Sequence, residues 1–233
     1  MSIAMCGNLN AQDSSKEIIL ADSGDFFLNA VAKEVGKRAF SKHNIKFDTR
    51  TYPAERALIS ANSGEADGDA YRVFDLHKKS AGKYPNLIRV NVPYLTIYFT
   101  AFVEDENKDI KVNDWKDLAN YKVAVIRGNK TMEARVNEFV PKSNQVSVTF
   151  YEQAFQMLLK NRVDVVVGKP VIGSNYMKKH KNLHMIGKFQ TQDIYIYLHK
   201  NHKSIIPKIE AELQKMQDSG ELQEIEKMVR NRF

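Results

Sequence analysis

The chain has 233 residues, 43% of them hydrophobic, which is enough to bury a core in one large domain or two small ones. Its 35 Lys and Arg residues exceed its 28 Asp and Glu residues, giving a formal net charge of +7. The basic residues are scattered, and no aromatic-rich basic stripe accompanies them. We therefore interpret the charge as solvated surface and expect no nucleic-acid partner.

No segment approaches the roughly 18–20 apolar residues of a membrane-spanning helix, so we expect a soluble chain. Cys6 is the only cysteine, which excludes a disulfide framework and a thiolate metal cluster. Residues 1–16 are interpreted as a signal remnant or a disordered N-terminus. Residues 1–11 are mildly apolar and fit either the tail of a secretory signal or a frayed cytosolic end. The residues before Cys6 only loosely resemble a lipoprotein cleavage box.

Strands and helices alternate in the first part of the predicted structure. Strands are predicted over 17–21, 45–51, 66–73 and 95–103. Asp22 or Ser23 is predicted to cap the first helix, which buries one face through residues 27, 31, 35 and 39. A second helix is predicted over 54–63, where Gly64 ends it.

The second part repeats this alternation and ends in helices. Strands are predicted over 122–127, 146–150 and 194–199, with a helix over 131–139. Apolar residues at 206, 209, 213 and 216, then at 222, 225 and 229, predict two amphipathic helices broken at Gly220. We expect this pair to pack back on the first part of the chain.

One internal comparison indicates two similarly built lobes. Glu55 and Asp67 are twelve positions apart, as are Glu152 and Asp164. Each interval reads as a helix, a residue suited to a left-handed turn, and an Asp that leads a strand. Coincidence between two ordinary helix-to-strand turns is the alternative.

Several segments in order carry a resemblance to a known family. These segments are 56–69 (RALISANSGEADGD), 84–90 (YPNLIRV), 112–118 (VNDWKDL), 122–128 (KVAVIRG) and 162–167 (RVDVVV). Over 17–233 the chain resembles the type II periplasmic solute-binding proteins, specifically extracellular solute-binding family 3 of amino-acid ABC transporters. The resemblance implies an α/β fold with two lobes, each a mixed sheet flanked by helices, and two crossing strands as hinge. It implies a first lobe of 17–102 plus 196–233 and a second of 103–195.

The resemblance also implies a function without catalysis. A small-molecule ligand, an amino acid or organic acid, would be held between the lobes of a periplasmic monomer that delivers it to a membrane permease. A sensory module with a receptor partner is the first alternative. A cyclohexadienyl-dehydratase-like enzyme is the second, with Asp69 or Glu133 as its acid or base. No cofactor or metal is expected, since His180 and His184 lack a third ligand nearby.

The ligand site is expected where strands end and the following helices begin. In the first lobe this rule selects Asp69, Tyr71, Arg72 and Tyr94. In the second lobe it selects Arg127, Gly128, Asn129, Lys130, Thr131 and Lys169. Arg72 is the first choice, because a guanidinium binds a carboxylate through two hydrogen bonds. Its alternative role is pairing with Asp69 or Asp75.

Lys169 departs from the family pattern, which places an Asp there for the ammonium of the ligand. With Arg72, Arg127 and Lys130, this lysine predicts an electropositive cleft. We therefore expect an anionic ligand, such as a dicarboxylate or another acidic metabolite, in place of a zwitterionic amino acid. The alternative is that Lys169 points into solvent and the pocket has lost its ligand.

Overall fold

The computed structural model describes residues 17–127 and 130–233. Its strands are β1 (Glu17–Asp22), β2 (Lys46–Thr51), β3 (Gly68–Val73), β4 (Leu87–Arg89), β5 (Leu95–Glu104), β6 (Val123–Ile126), β7 (Gln145–Val148), β8 (Val165–Gly168) and β9 (Leu183–His199). Its α-helices are α1 (Phe26–Ser41), α2 (Ala54–Ser63), α3 (Leu76–Lys79), α4 (Lys130–Phe139), α5 (Tyr151–Leu158), α6 (Pro170–Lys179), α7 (Ile206–Asp218) and α8 (Glu221–Arg230). Within these ranges, no helix combines the length and apolar character needed to cross a bilayer.

The described strands form one sheet in the order β2-β1-β3-β9-β5-β8-β6-β7, with β4 added beside β9. The two halves of this order mirror each other. β1 pairs in parallel with β2 and β3, just as β6 pairs in parallel with β7 and β8. β3 then pairs antiparallel with β9, and β8 pairs antiparallel with β5. Lobe 1 contains β1–β4 with α1–α3, α7 and α8, and lobe 2 contains β6–β8 with α4–α6.

The antiparallel pair β5 and β9 runs through both lobes. Its register shifts twice, on either side of Phe99. Opposite Phe99, β9 contains Gly187 and Gln190 with positive φ angles of 68° and 48°. The hydroxyl of Thr100 donates to the carbonyl oxygens of Ile186 and Gly187 at 2.9 and 2.8 Å. These bulges bend the sheet where one lobe meets the other.

Lobe 1 packs its helices around β1 and the C-terminal half of β9. Helix α1 buries the face predicted from its sequence, from Phe27 to Ala39. Helices α7 and α8 bury all seven predicted apolar positions against the same core, with Gly220 at φ 81° between them. The prediction that this helical pair returns to the first part of the chain is confirmed.

Lobe 2 has its own core around β6 and β8. Trp115 lies at its centre, with ring centroids 5.3 Å from Phe99 and 4.9 Å from Phe189. The indole N–H of Trp115 donates to the side-chain oxygen of Gln190. The aromatic cluster therefore fixes the bulged part of β5 and β9 to lobe 2.

The internal repeat extends to individual hydrogen bonds. Asp67 accepts the backbone N–H of Ile19 through Oδ2 at 2.7 Å, and its own N–H donates to Ile19 O at 2.9 Å. Asp164 makes the same two contacts with Lys122, at 2.7 and 2.8 Å. The turn residues before them, Gly64 and Asn161, both have positive φ, at 82° and 51°. Each aspartate thus fastens the returning chain to the first strand of its lobe.

Two local predictions are wrong. Asp25, in place of Asp22 or Ser23, caps α1 by accepting the N–H of Leu28 at 3.0 Å, because Gly24 turns the chain and the Asp22 carboxylate faces inward. The return strand β9 begins at Leu183, well before 194. The sequence does not predict its first half, because most of those residues are exposed or half-buried and many are polar. The lobe boundaries at 102/103 and 195/196 stay a prediction, as does the reading of residues 1–16, which lie outside the described residues.

Replacing Asp164 with Ala should lower the free energy of unfolding by about 1 kcal/mol, because a strand N–H loses its carboxylate acceptor. Asp67→Ala should cost more, since Asp67 also contacts His202 Nε2 at 2.7 Å. Urea unfolding measures both changes, with the exposed Asp109→Ala as the control. Equal effects at Asp109 and Asp164 would contradict the fastening role.

Candidate functional site in the cleft between the lobes

A cavity of about 300 Å³ lies where the two lobes face each other. It is lined from lobe 1 by Ser23, Asp25, Leu28, Leu58, Tyr71, Arg72, Val73 and Leu76, from the crossing strands by Ile97, Phe99, Gln192 and Ile194, and from lobe 2 by Thr131 and Lys169. Its volume is at the lower end of the range for small-molecule sites. The cavity can therefore enclose a small ligand between the carboxyl ends of strands from both lobes.

Buried Asp22 shapes the lobe 1 wall of the cavity. Its carboxylate accepts the Thr51 hydroxyl at 2.8 Å, the Gly24 N–H at 2.8 Å and the Tyr71 hydroxyl at 3.3 Å. The Tyr71 oxygen also accepts the N–H groups of Ser23 and Asp25. Burial raises the pKa of Tyr71 to about 12, so the phenol stays protonated at neutral pH. This network fixes the loop that carries Asp25.

Arg72 is paired with a buried carboxylate. Its Nη2 donates to Asp69 Oδ2 at 2.7 Å, and Asp69 also accepts the backbone N–H of Tyr71 at 3.2 Å. Asp69 is wholly buried, and this burial raises its pKa although the neighbouring guanidinium opposes the change. The Nε atom of Arg72 is buried and has no hydrogen-bond partner. Arg72 therefore retains a donor for a further acceptor.

Lys169 forms an ion pair across the cleft. Its ammonium contacts the Oδ2 of Asp25, which joins the end of β8 in lobe 2 to the start of α1 in lobe 1. The lysine side chain is only 16% exposed, so it does not point into solvent. Val171, two residues later, packs in the core of lobe 1 and holds the start of α6 near Asp25. The ion pair and this packing close one end of the cavity.

Three helices begin at the cavity. Asp25 caps α1, Thr131 lies in the first turn of α4, and Lys169 directly precedes α6. Helix N-termini carry unsatisfied N–H groups and partial positive charge. This arrangement favours a negatively charged group of a ligand.

The cavity brings together four of the ten residues selected from the sequence: Tyr71, Arg72, Thr131 and Lys169. Asp69 contacts Arg72 from a fully buried position. The remaining selected residues do not line the cavity or are not described. Tyr94 is buried and donates its hydroxyl to the carbonyl oxygen of Ala70 at 3.0 Å, and Arg127 is exposed outside the cavity. Gly128 and Asn129 lie outside the described residues. Lys130 is the first residue of α4, and its side chain lies outside the description.

Sequence reasoning missed Asp25, Phe99 and Gln192. Asp25 was missed because the sequence predicts the cap of α1 at Asp22 or Ser23, two or three residues before its actual position. Phe99 and Gln192 lie on the crossing strands, where only the register of β5 with β9 reveals which side chains face the cleft. The pairings of Arg72 and Lys169 with carboxylates also correct the expected surplus of positive charge among the described residues.

Other depressions occur on the surface. One of about 770 Å³ lies between α1 and α7, but lobe 1 alone lines it. Another of about 350 Å³ lies between β5 and α8. In the part of the chain that the structure describes, no cluster of His, Cys, Asp or Glu has the arrangement of a metal site. A depression of about 20 Å³ between α8 and the start of α6 also receives residues from both lobes, but it is too small for a ligand. Among these described depressions, the cleft cavity combines residues of both lobes with room for a small ligand.

Solved structures of other proteins share this architecture. An amino acid ABC transporter substrate-binding protein from Streptococcus pneumoniae, bound to L-arginine, superposes with a TM-score of 0.68 over 94% of this chain and 96% of its own, at 18% identity. The GluR0 ligand-binding core in complex with L-glutamate gives a TM-score of 0.72 over 93% and 98%, at 15% identity. The chain has the two-lobed fold of type II periplasmic binding proteins. The fold expected from the sequence is confirmed.

This fold also occurs in sensors. A histidine kinase sensor domain with similarity to periplasmic binding proteins gives a TM-score of 0.66 over 92% of this chain and 96% of its own, at 14% identity.

No family model matches the chain. A protein of Shewanella oneidensis without an assigned function is 26% identical over 195 residues, covering 81% of this chain and 72% of that protein. A candidate sensor protein of Shewanella frigidimarina is 33% identical over 61 residues, which are 26% of this chain and 9% of that protein.

The raised pKa of Asp69 predicts a pH-dependent effect of Asp69→Asn. The folded protein holds this proton more tightly than the unfolded chain, so the associated stability is complete below the ordinary pKa of 3.8 and is lost as pH rises through the folded value. The melting temperature of the wild type relative to Asp69→Asn should therefore fall as the pH rises above 3.8. Asp109→Asn, at an exposed site, should show no such trend. A relative melting temperature that rises with pH would show that the Arg72 pair outweighs burial.

Proposed function

We propose that this chain is an extracytoplasmic solute-binding protein that captures a small polar, carboxylate-bearing ligand between its lobes for uptake by a transporter. The observation that carries this proposal is the cleft cavity with Arg72, whose buried Nε lacks a hydrogen-bond partner. A guanidinium with an unused donor can bind a carboxylate. The three helix N-termini at the cavity support the same ligand charge.

The ligand would act by stabilising a closed arrangement of the lobes. In the described part of the chain, the polypeptide passes between the lobes twice, along β5 and β9. The bulges in this pair provide positions where the backbone can bend. A ligand that contacts Arg72 in lobe 1 and Thr131 in lobe 2 would favour closure, and a membrane permease would recognise the closed monomer. No catalytic step is required, and Asp69, one candidate acid or base of the enzyme alternative, is buried and ion-paired.

A ligand-sensing module is the second candidate. The structural match to a histidine kinase sensor domain and the partial match to a candidate sensor protein favour it. The same binding and closure would then be transmitted to a receptor. Neighbouring genes distinguish the two candidates, because permease and ATPase genes accompany uptake whereas a kinase or cyclase gene accompanies sensing.

A thermal-shift screen of amino acids, dicarboxylates and monocarboxylates, followed by calorimetry, tests the proposed function. A ligand that binds only the native state raises the melting temperature by mass action. The double variant Arg72→Met/Asp69→Asn should weaken binding at least about tenfold, because a hydrogen bond to a charged group contributes about 1.5–3 kcal/mol. Changing both residues avoids an unpaired buried carboxylate.

Two variants control for indirect effects. Asp69→Asn alone retains the guanidinium and should bind within a few-fold of the wild type. Arg162→Ala removes an exposed arginine outside the cavity and should bind normally. Unchanged affinity in the double variant would place the ligand elsewhere, and a screen without any hit would contradict the proposed function.

A further inference from the structure

Each carboxylate at the cleft cavity, among the residues that the structure describes, already has a partner. Asp22 accepts three hydrogen bonds, Asp69 pairs with Arg72, and Asp25 pairs with Lys169. Of the described residues that line the cavity, Asp25 is the only acidic one. The other carboxylate oxygen of Asp25 caps α1 by accepting the backbone N–H of Leu28. No carboxylate among these residues is left to receive a cationic group of a ligand.

This arrangement disfavours a ligand with an ammonium group. Burying an ammonium without a counter-ion is costly, and the ammonium that Asp25 binds comes from Lys169 of the chain itself. A zwitterionic ligand would have to displace the lysine from Asp25. The displaced lysine, held near the cavity by the packing of Val171, would then repel the ligand ammonium.

A single carboxylate, in contrast, has a binding partner. The unused donor of Arg72 and the N-termini of α1, α4 and α6 all favour a negative charge. A second carboxylate has no comparable partner among the described lining residues, because their only other cation is Lys169, which is paired. The cavity therefore favours one negative charge.

The rest of the cavity is largely apolar. Eight of the fourteen described lining residues are aliphatic or aromatic, including Leu58, Leu76, Ile97, Phe99 and Ile194. Burying apolar ligand surface against such walls stabilises the bound state. An apolar ligand body thus fits this part of the cavity better than a polar one.

We propose that the ligand is a monocarboxylate with an apolar body and no amino group, because Lys169 supplies from within the chain the ammonium that Asp25 binds. This inference rests on the proposed function and specifies its ligand class. It differs from the dicarboxylate expected from the sequence, since two of the four cations that suggested a surplus of positive charge, Arg72 and Lys169, are paired. A third, Arg127, does not line the cavity.

Calorimetry with three matched pairs tests the inference on the full chain. The pairs are leucine and isocaproate, phenylalanine and hydrocinnamate, and glutamate and glutarate, in which the second member lacks the amino group. Isocaproate or hydrocinnamate should bind at least about tenfold more tightly than its amino acid, because the ammonium finds no free carboxylate. Both should also bind more tightly than glutarate.

Lys169→Ala should change this preference by freeing Asp25 for a ligand ammonium. The ratio of leucine affinity to isocaproate affinity should rise at least about tenfold in this variant. Lys178→Ala removes an exposed lysine from the same helix and should leave the ratio unchanged. Lys169→Met keeps the apolar stem of the side chain and serves as a second variant should the alanine variant fold poorly.

Each outcome is decisive. If leucine or phenylalanine binds the wild type as tightly as its partner, or if glutarate binds best, the ligand class is wrong while the proposed function stands. If folded wild type binds none of the six compounds, the ligand class and the proposed carboxylate site are both wrong. If the ratio in Lys169→Ala equals that in Lys178→Ala, Lys169 does not set the preference.

Discussion

The antiparallel pairing of β5 with β9 is the interaction on which the rest of this structure depends. It connects two half-sheets that are otherwise built from parallel strands within each lobe. Its N-terminal residues in β5 and C-terminal residues in β9 lie beside lobe 1, whereas the opposite ends lie beside lobe 2. The cleft exists because this one ladder bends at its bulges, and Trp115 fixes the bend to the core of lobe 2.

Charge in the cleft is balanced by pairing. Two cations and two carboxylates form one ion pair within lobe 1 and one between the lobes. The pair of Arg72 and Asp69 is buried, and this burial raises the pKa of Asp69. The second is partly exposed, so separating the lobes would return both groups to water and recover much of their hydration. The inter-lobe pair therefore adds orientation more than stability.

Much of the fold could be predicted from the sequence because its signals are local. The periodic burial of α1, α7 and α8, the turn residues Gly64 and Gly220, and the repeated helix-to-Asp interval all depend on short segments. The first half of β9 escaped prediction because one of its faces is solvated and polar. The strand-end rule located Tyr71, Arg72, Thr131 and Lys169 at the cavity, whereas their partners could not be found without tertiary contacts.

Asp25 illustrates this limit. Nothing in its neighbourhood distinguishes it from Asp22, and its contact with Lys169 joins positions 144 residues apart. Counting charges from the sequence includes Lys169 but does not reveal that Asp25 neutralises it. Fold class follows from local patterns, but the electrostatic character of a site follows from which distant side chains meet.

The mirrored sheet order also governs how the chain can assemble during synthesis. Lobe 2 draws β6, β7, β8 and α4 to α6 from one continuous stretch, whereas lobe 1 needs β9, α7 and α8 from near the C-terminus. On a ribosome, β3 therefore keeps an unpaired edge, and α1 an uncovered apolar face, until β9, α7 and α8 have emerged. Exposed edges and apolar faces are the features that promote misassociation, so the lobe made first is the one that most needs protection while the chain is incomplete.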